Sequence, residues 1–260
     1  MPKLNLHTLP QNASPEELAG ATAIIVDLLR ASTTICTALA AGTECVMPFA
    51  EIDATLRAAD RFGRTSVLLG GERMGKLIPG FDLGNSPAEY IPERVCGRRI
   101  LFTTTNGARA LEHARGAKRI LVGAAVNRTA VARAVEAGVD VVILCAGTDG
   151  VIAPEDRLAG GAIVEAILSR GATWQFNDPA TAALDRWRRL GEEARTRAVP
   201  LVDVFAERIR ETDGGQNLLA IGQDADLPRC AQLDVLTIVP ELTPAANELR
   251  GAIAAYRPRS

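Results

Sequence analysis

The run from Ala23 to Ala41, A-I-I-V-D-L-L-R-A-S-T-T-I-C-T-A-L-A-A, changes character halfway along. It opens as an apolar segment of strand length and closes as an Ala-rich helix, with Gly42 where a helix C-cap glycine belongs. Between the two lie Asp27, Arg30, Ser32, Thr33 and Thr34. On a strand, Ile24, Val26 and Leu28 would face one way and Ile25, Asp27 and Leu29 the other. A carboxylate inside so apolar a run must be paired, protonated or metal-bound. The hydroxyls stand where a helix presents unpaired N–H groups, which suits an anion. An acid for a cation beside a cradle for an anion points to metal-assisted chemistry on a phosphate.

The same alternation of strand and helix continues along the chain. Ser14-Pro15-Glu16-Glu17 reads as a capping box opening a short helix. Strands are expected at Glu44–Phe49, Thr65–Leu69, Arg99–Thr103, Lys118–Val122, Asp140–Cys145 and Val235–Val239. Helices are expected at Glu51–Phe62, Ala108–Arg115, Arg128–Ala137, Pro154–Ser169, Asp178–Arg197, Val202–Glu211 and Gln216–Ile221. Gly160-Gly161 inside one of them predicts close backbone packing. Gly70–Pro87 reads as a long glycine-rich loop. At 260 residues, one large α/β domain fits as well as two small ones, and a single domain over 1–260 is expected. Strands alternating with helices imply a largely parallel sheet covered on both faces. Ligands in such sheets bind at the carboxyl ends of the strands. Asp27, Gly70–Arg73, Thr104–Gly107 and Gly147–Asp156 all follow expected strand ends and so can converge.

Composition narrows the partners. A net charge of −2 gives no reason to expect nucleic acid or an anionic membrane. No apolar run reaches membrane-span length, and Met1–Pro10 lacks the features of a signal peptide, so a cytoplasmic protein is expected. Nothing in the chain argues against a homo-oligomer. The five cysteines form no C-x-x-C pair, only His7 and His113 accompany them, and none has Arg six positions on. That leaves no basis for a zinc site or a cysteine phosphatase.

Other phosphate-handling motifs fail in detail. Gly70–Lys76 matches G-x4-G-K, yet Leu77 stands where Ser or Thr should hold magnesium, and Pro79-Gly80 interrupts any helix. A non-catalytic nucleotide- or anion-binding module built on that segment is the alternative to an enzyme. No G-x-G occurs for a dinucleotide site. Leu29 spoils the D-x-D of an aspartyl-phosphate phosphatase. What remains is a hard-cation site made of carboxylates. The acids near strand ends are Asp27, Glu72, Asp82, Asp149, Glu155 and Asp156; the bases are Arg30, Arg73, Lys76, Arg109 and Arg157. Such a balance suits a small, multiply anionic substrate on a metal.

Five segments then carry a family resemblance. V-D-L-L-R-A-S-T-T-I, G-G-E-R-M-G-K-L-I-P-G-F-D-L-G-N-S-P, T-T-N-G-A-R-A, C-A-G-T-D-G with P-E-D-R-L-A-G, and a late D…C…D…V-P together resemble the 2-phosphosulfolactate phosphatase family. The resemblance implies a three-layer α/β/α fold with a mostly parallel, mixed central sheet. It implies a magnesium-dependent phosphatase that hydrolyses 2-phospho-3-sulfolactate, a step towards coenzyme M. Its anchors fall on Asp27, Arg30, Glu72, Arg73, Asn85, Ser86, Asn106, Gly107, Glu155 and Asp156. Ala108 stands where a Thr is expected after Asn-Gly.

Chemistry assigns the roles. Asp27, Arg30, Glu72 and Arg73 are the catalytic candidates; Asp27, Glu72, Glu155 and Asp156 are the magnesium ligands. Ser32, Thr33, Thr34, Asn85, Ser86, Thr104, Thr105, Asn106 and Gly107 would bind substrate. The mechanism expected is in-line attack by an activated water, with a phospho-enzyme through Asp27 as the alternative. Each group also has a plainer role. Asp27 could pair with Arg30, and Glu72 with Arg73. Ser86 and Glu89 read as a capping box. Glu155 and Asp156 could serve the helix dipole, and Thr104–Asn106 could be an N-cap cluster. His113 and Arg186–Arg189 are expected on solvated surface, and Asp149 in a peripheral loop.

Overall fold

Two strands hold the middle of the molecule: β2 (Thr22–Val26) and β8 (Val141–Cys145), whose residues are all buried. Strands covered on both faces read as continuous apolar runs, and T-A-I-I-V and V-V-I-L-C do so. They pair in parallel, Ile24 opposite Ile143. The computed structural model describes residues 1–243 and 251–256.

In chain order the elements are β1 (Lys3–His7), α1 (Pro15–Leu18), β2, α2 (Ala31–Ala40), β3 (Cys45–Phe49), α3 (Ile52–Phe62), β4 (Val67–Arg73) and β5 (Lys76–Leu77). Then come α4 (Pro92–Val95), β6 (Arg99–Thr103), α5 (Asn106–His113), β7 (Arg119–Val122), α6 (Arg128–Ala134), β8 and α7 (Pro154–Leu168). The chain continues with β9 (Gln175–Phe176), α8 (Asp178–Arg197), α9 (Leu201–Arg210), α10 (Asp213–Ala220), α11 (Asp226–Cys230), β10 (Pro240–Thr243) and β11 (Ala252–Ala255). The strands form one sheet in the order β5-β4-β6-β3-β11-β10-β7-β2-β8-β1-β9. Among the described residues, six pairings are parallel. The hairpin β10–β11 is inserted antiparallel between β7 and β3. Helices flank the sheet, so the fold is a three-layer α/β/α sandwich with a mixed, mostly parallel centre. No described helix is long and apolar enough to cross a membrane.

Several local expectations hold with their causes visible. Ser14 and Glu17 form the capping box of α1. Gly42 and Gly63 follow α2 and α3 with φ of 91° and 81°. Gly161 lets α7 approach α8 so closely that a Cβ there would lie 2.2 Å from the Ala183 carbonyl oxygen. Others need correction. β1 was not foreseen; it alternates Leu4 and Leu6 inward but has only five residues. Gly70–Arg73 is not loop: it continues β4 and pairs with β6 before turning back as β5. Helix α6 stops at Ala134, where Arg170 donates to the Ala132 and Val135 carbonyls. Val235–Val239 is not a strand; it is tied to the turn at Ala125–Asn127 through Asp234 and Leu236, and the strand begins at Pro240. His113 is half-buried and bonded to the Ala13 carbonyl at 3.0 Å, so it is not solvated surface.

Candidate active site

The parallel strands end on a common edge, and there the chain encloses a cleft of about 450 Å³. Asp27 follows β2, Glu72 and Arg73 end β4, Thr104–Asn106 follow β6, and Gly147–Asp149 follow β8. Glu155 and Asp156, in the first turn of α7, complete the floor. Four segments distant in sequence thus converge as the strand-end argument requires.

Asp27 is held from three sides. Its own N–H donates to Ser32 Oγ at 2.9 Å, and its Oδ1 accepts from the Ala31 N–H at 3.3 Å. Gly107 packs against its other oxygen, where a Cβ would lie 2.9 Å from Oδ2. Burial pushes the carboxyl up to about 7, and the charges of Glu72 and Glu155 add to the rise. Burial likewise raises Glu155, with Asp213 contributing, and raises Asp156 well above the usual range, with Asp27 and Glu155 contributing. Asp27 does not pair with Arg30. That guanidinium bonds the buried Asp226 at 2.6 Å, Gln223 at 3.2 Å and the Gly75 carbonyl at 2.9 Å. Glu72 and Arg73 do not pair with each other. Glu72 Oε2 accepts from the Gly75 N–H at 2.7 Å, while Arg73 donates to the Glu72 and Ala50 carbonyls.

The hydroxyls of the opening stretch face inward. Ser32 donates to the Ile25 carbonyl, Thr33 to that of Leu28 and Thr34 to that of Asn85. None of the three lines the cleft, because the backbone carbonyls of Ile25, Leu28 and Asn85 take their protons. Ser86 is also withdrawn: it donates to Asp226 Oδ1 at 2.7 Å instead of capping a helix, and Glu89 accepts from the Gly84 N–H. Gly107 likewise is a seat for Asp27, not a cleft-lining group. Of the predicted hydroxyls, Thr104 and Thr105 do line the cleft, beside Thr148; Thr105 stands at the N-cap of α5 and makes no side-chain cap bond. Asn106 lines it too and accepts the Asp149 N–H at 3.2 Å. Asp149 is therefore part of the wall, not peripheral. Asn85 reaches the cleft with Oδ1 buried and unpartnered.

The described residues hold no ready-made cluster of three or more His, Cys, Asp or Glu around a metal position. Asp156 has both oxygens occupied, accepting the Leu28 and Gly147 N–H groups at 2.8 and 3.1 Å, and so brackets two loops. Glu155 is different: 3% exposed, it leaves Oε2 without a partner. The charges of Glu72 and Glu155 raise the cost of ionising Asp27, and the Arg30 guanidinium is already paired with Asp226. This donor set fits a hard cation that keeps several waters and takes few carboxylates. Such a cation would also offset the charge of an incoming phosphate, which the five acids that line the cleft against two arginines, among the described residues, would otherwise repel.

Sequence reasoning missed the fourth wall. Asn217 and Leu218 of α10, with Ile221 just beyond its end, close the cleft, and Gln223 and Asp226 hold Arg30. No local pattern marks these residues, because their partners lie far away in the chain.

Comparison with known proteins agrees with the geometry. The family model described as 2-phosphosulpholactate phosphatase matches residues 7–244. A protein of Symbiobacterium thermophilum named probable 2-phosphosulfolactate phosphatase is 42% identical over 229 residues, 88% of this chain and 94% of its own. Proteins of the same name from Prochlorococcus marinus and a Synechococcus strain are each 38% identical, covering 89% and 93% of this chain and 91% and 96% of theirs. The chain belongs to the 2-phosphosulfolactate phosphatase family, a family of phosphoric monoester hydrolases.

Proposed function

We propose that this protein hydrolyses 2-phospho-3-sulfolactate to 3-sulfolactate and phosphate with Mg²⁺ as its metal, on the route towards coenzyme M. The observation that carries the reading is the meeting of Asp27, Glu72 and Glu155 with the Thr104–Thr105 start of α5 in one cleft. Carboxylates for a cation and a helix N-terminus for an anion are what a phosphate monoester on a metal requires. Family membership supports the substrate.

Asp27, Glu72 and Glu155 would hold the metal. Bound there, Mg²⁺ would neutralise phosphoryl charge and lower the pKa of a water. The chain's own groups do the rest. Thr104 and Thr105 donate hydroxyl protons to phosphoryl oxygens, and the first amides of α5 favour the same charge. Arg73 and Arg30 stabilise charge that grows on those oxygens in the transition state. Asn85 offers its side-chain amide to the acid end of the substrate. Leu218 and Ile221 cover the cleft from the α10 side and limit water around the ester. With a cation held there Asp27 would be ionised, because opposite charge favours the charged form.

The nucleotide-module reading has no support in the geometry. Gly70–Lys76 is a β-hairpin, with Arg73 opposite Lys76, and the Gly75 N–H is spent on Glu72. The test is a phosphate-release screen over 2-phospho-3-sulfolactate, phospholactate and phosphoglycolate, each with and without magnesium, beside calorimetry with ATP. Turnover highest on the sulfonated ester is expected. ATP binding with no turnover of any monoester would contradict the reading.

A further inference from the structure

A buried clamp stands behind the cleft. Asp226, 2% exposed at the start of α11, uses both oxygens: Oδ2 accepts from Arg30 Nη1 at 2.6 Å and Oδ1 from Ser86 Oγ at 2.7 Å. Arg30 is itself 3% exposed; Gln223 and the Gly75 carbonyl accept two more of its N–H groups, and it still lines the cleft. The clamp therefore joins the β2–α2 turn, the tip of the β4–β5 hairpin, the α11 wall and the segment that carries Asn85. A charge-assisted pair this deep fixes orientation as well as charge. It has an evident competitor. Asp27 and Glu72 line the same cleft, and either would attract an unclamped guanidinium.

We infer that Asp226 is a positioning residue: it aims Arg30 at the phosphate ester and keeps it off the cation-binding carboxylates, with Ser86 steadying Asp226 in turn. The inference rests on the phosphatase reading above. Asp226 touches no substrate and acts through Arg30, so its effect must vanish when Arg30 is absent.

A double-mutant cycle tests this. Asp226→Asn keeps the shape and removes the charge. By the usual size of coupling within one hydrogen-bonded network, kcat/KM for 2-phospho-3-sulfolactate should fall about thirtyfold, and affinity for inorganic phosphate about tenfold. In an Arg30→Ala background the same change should alter kcat/KM less than about twofold. Ser86→Ala should move both quantities in the same direction, by about threefold. A purely structural acid would lower the melting temperature but leave kcat/KM unchanged well below it. It would also give the same loss in both backgrounds. Either result overturns the inference. If Asp226→Asn does not fold, Ser86→Ala decides: no change in phosphate affinity or kcat/KM contradicts the clamp. If the wild-type protein hydrolyses no monoester, the phosphatase reading fails on its own. Calorimetry with inorganic phosphate then decides the clamp, and an affinity that Asp226→Asn leaves unchanged overturns it.

Discussion

At the scale of single residues, the cleft separates acids that brace the fold from acids free to act. Asp156 spends both oxygens on the backbone, whereas Glu155 Oε2 has no partner. Asp27→Asn and Glu72→Gln should each lower kcat about a thousandfold with the fold intact, and added magnesium should partly restore it. Unchanged turnover in both would move the metal elsewhere. The raised carboxyl of Asp27 also gives a stability signature. Its folded pKa, pushed up to about 7, lies above that of the unfolded chain, so the folded state binds the extra proton. That contribution is complete at low pH and is lost as pH rises through about 7. Burial of Asp156 acts in the same direction. With metal chelated, the wild-type melting temperature should therefore drop between about pH 4 and about pH 7, and that of Asp27→Asn should drop less. Parallel curves would show that Asp27 keeps its charge in the unloaded cleft.

At the scale of elements, close approach is what the glycines provide. Gly161→Ala would drive a methyl into the Ala183 carbonyl and part α7 from α8. A loss of about 1–3 kcal/mol is expected, read as a lower urea midpoint at unchanged slope. Gly107→Ala would press on the Asp27 carboxylate and should cut kcat about 10–100-fold while moving the melting temperature little. An unaltered rate would mean that Asp27 has room to adjust. Elements with strong local signals were legible in the sequence. Helix α8 runs over Asp178–Arg197 as expected, with Asn177 capping Ala180 at its start. Short or glycine-broken elements were not. β1 offers only Leu4 and Leu6 as a pattern, and Gly70-Gly71 conceals the end of β4 because glycine carries no strand signal.

At the scale of the whole molecule, the C-terminal hairpin is structural, since β10 and β11 fill the gap between β7 and β3. Truncation after Val239 should leave β7 and β3 each without a neighbour on one side and abolish cooperative unfolding; a sharp melting transition in that variant would contradict the topology. The order of strands and helices, and the strand ends that carry the site, could be read along the chain. The insertion of β10–β11 could not, because no local pattern says which strands a hairpin will separate. Nor could the bond between Arg30 and Asp226, 196 residues apart. The inward turn of Ser32, Thr33 and Thr34 was hidden for the same reason: hydroxyls near a helix start can serve a ligand or a carbonyl, and only the folded turn decides. The central claim is that this cleft is a magnesium-dependent site for a phosphosulfonate ester. Initial rates of phosphate release from 2-phospho-3-sulfolactate, with magnesium and again with a chelator, test it most directly. Rapid release that chelation abolishes and added magnesium restores is expected; equal rates in both conditions, or no release in either, would contradict it.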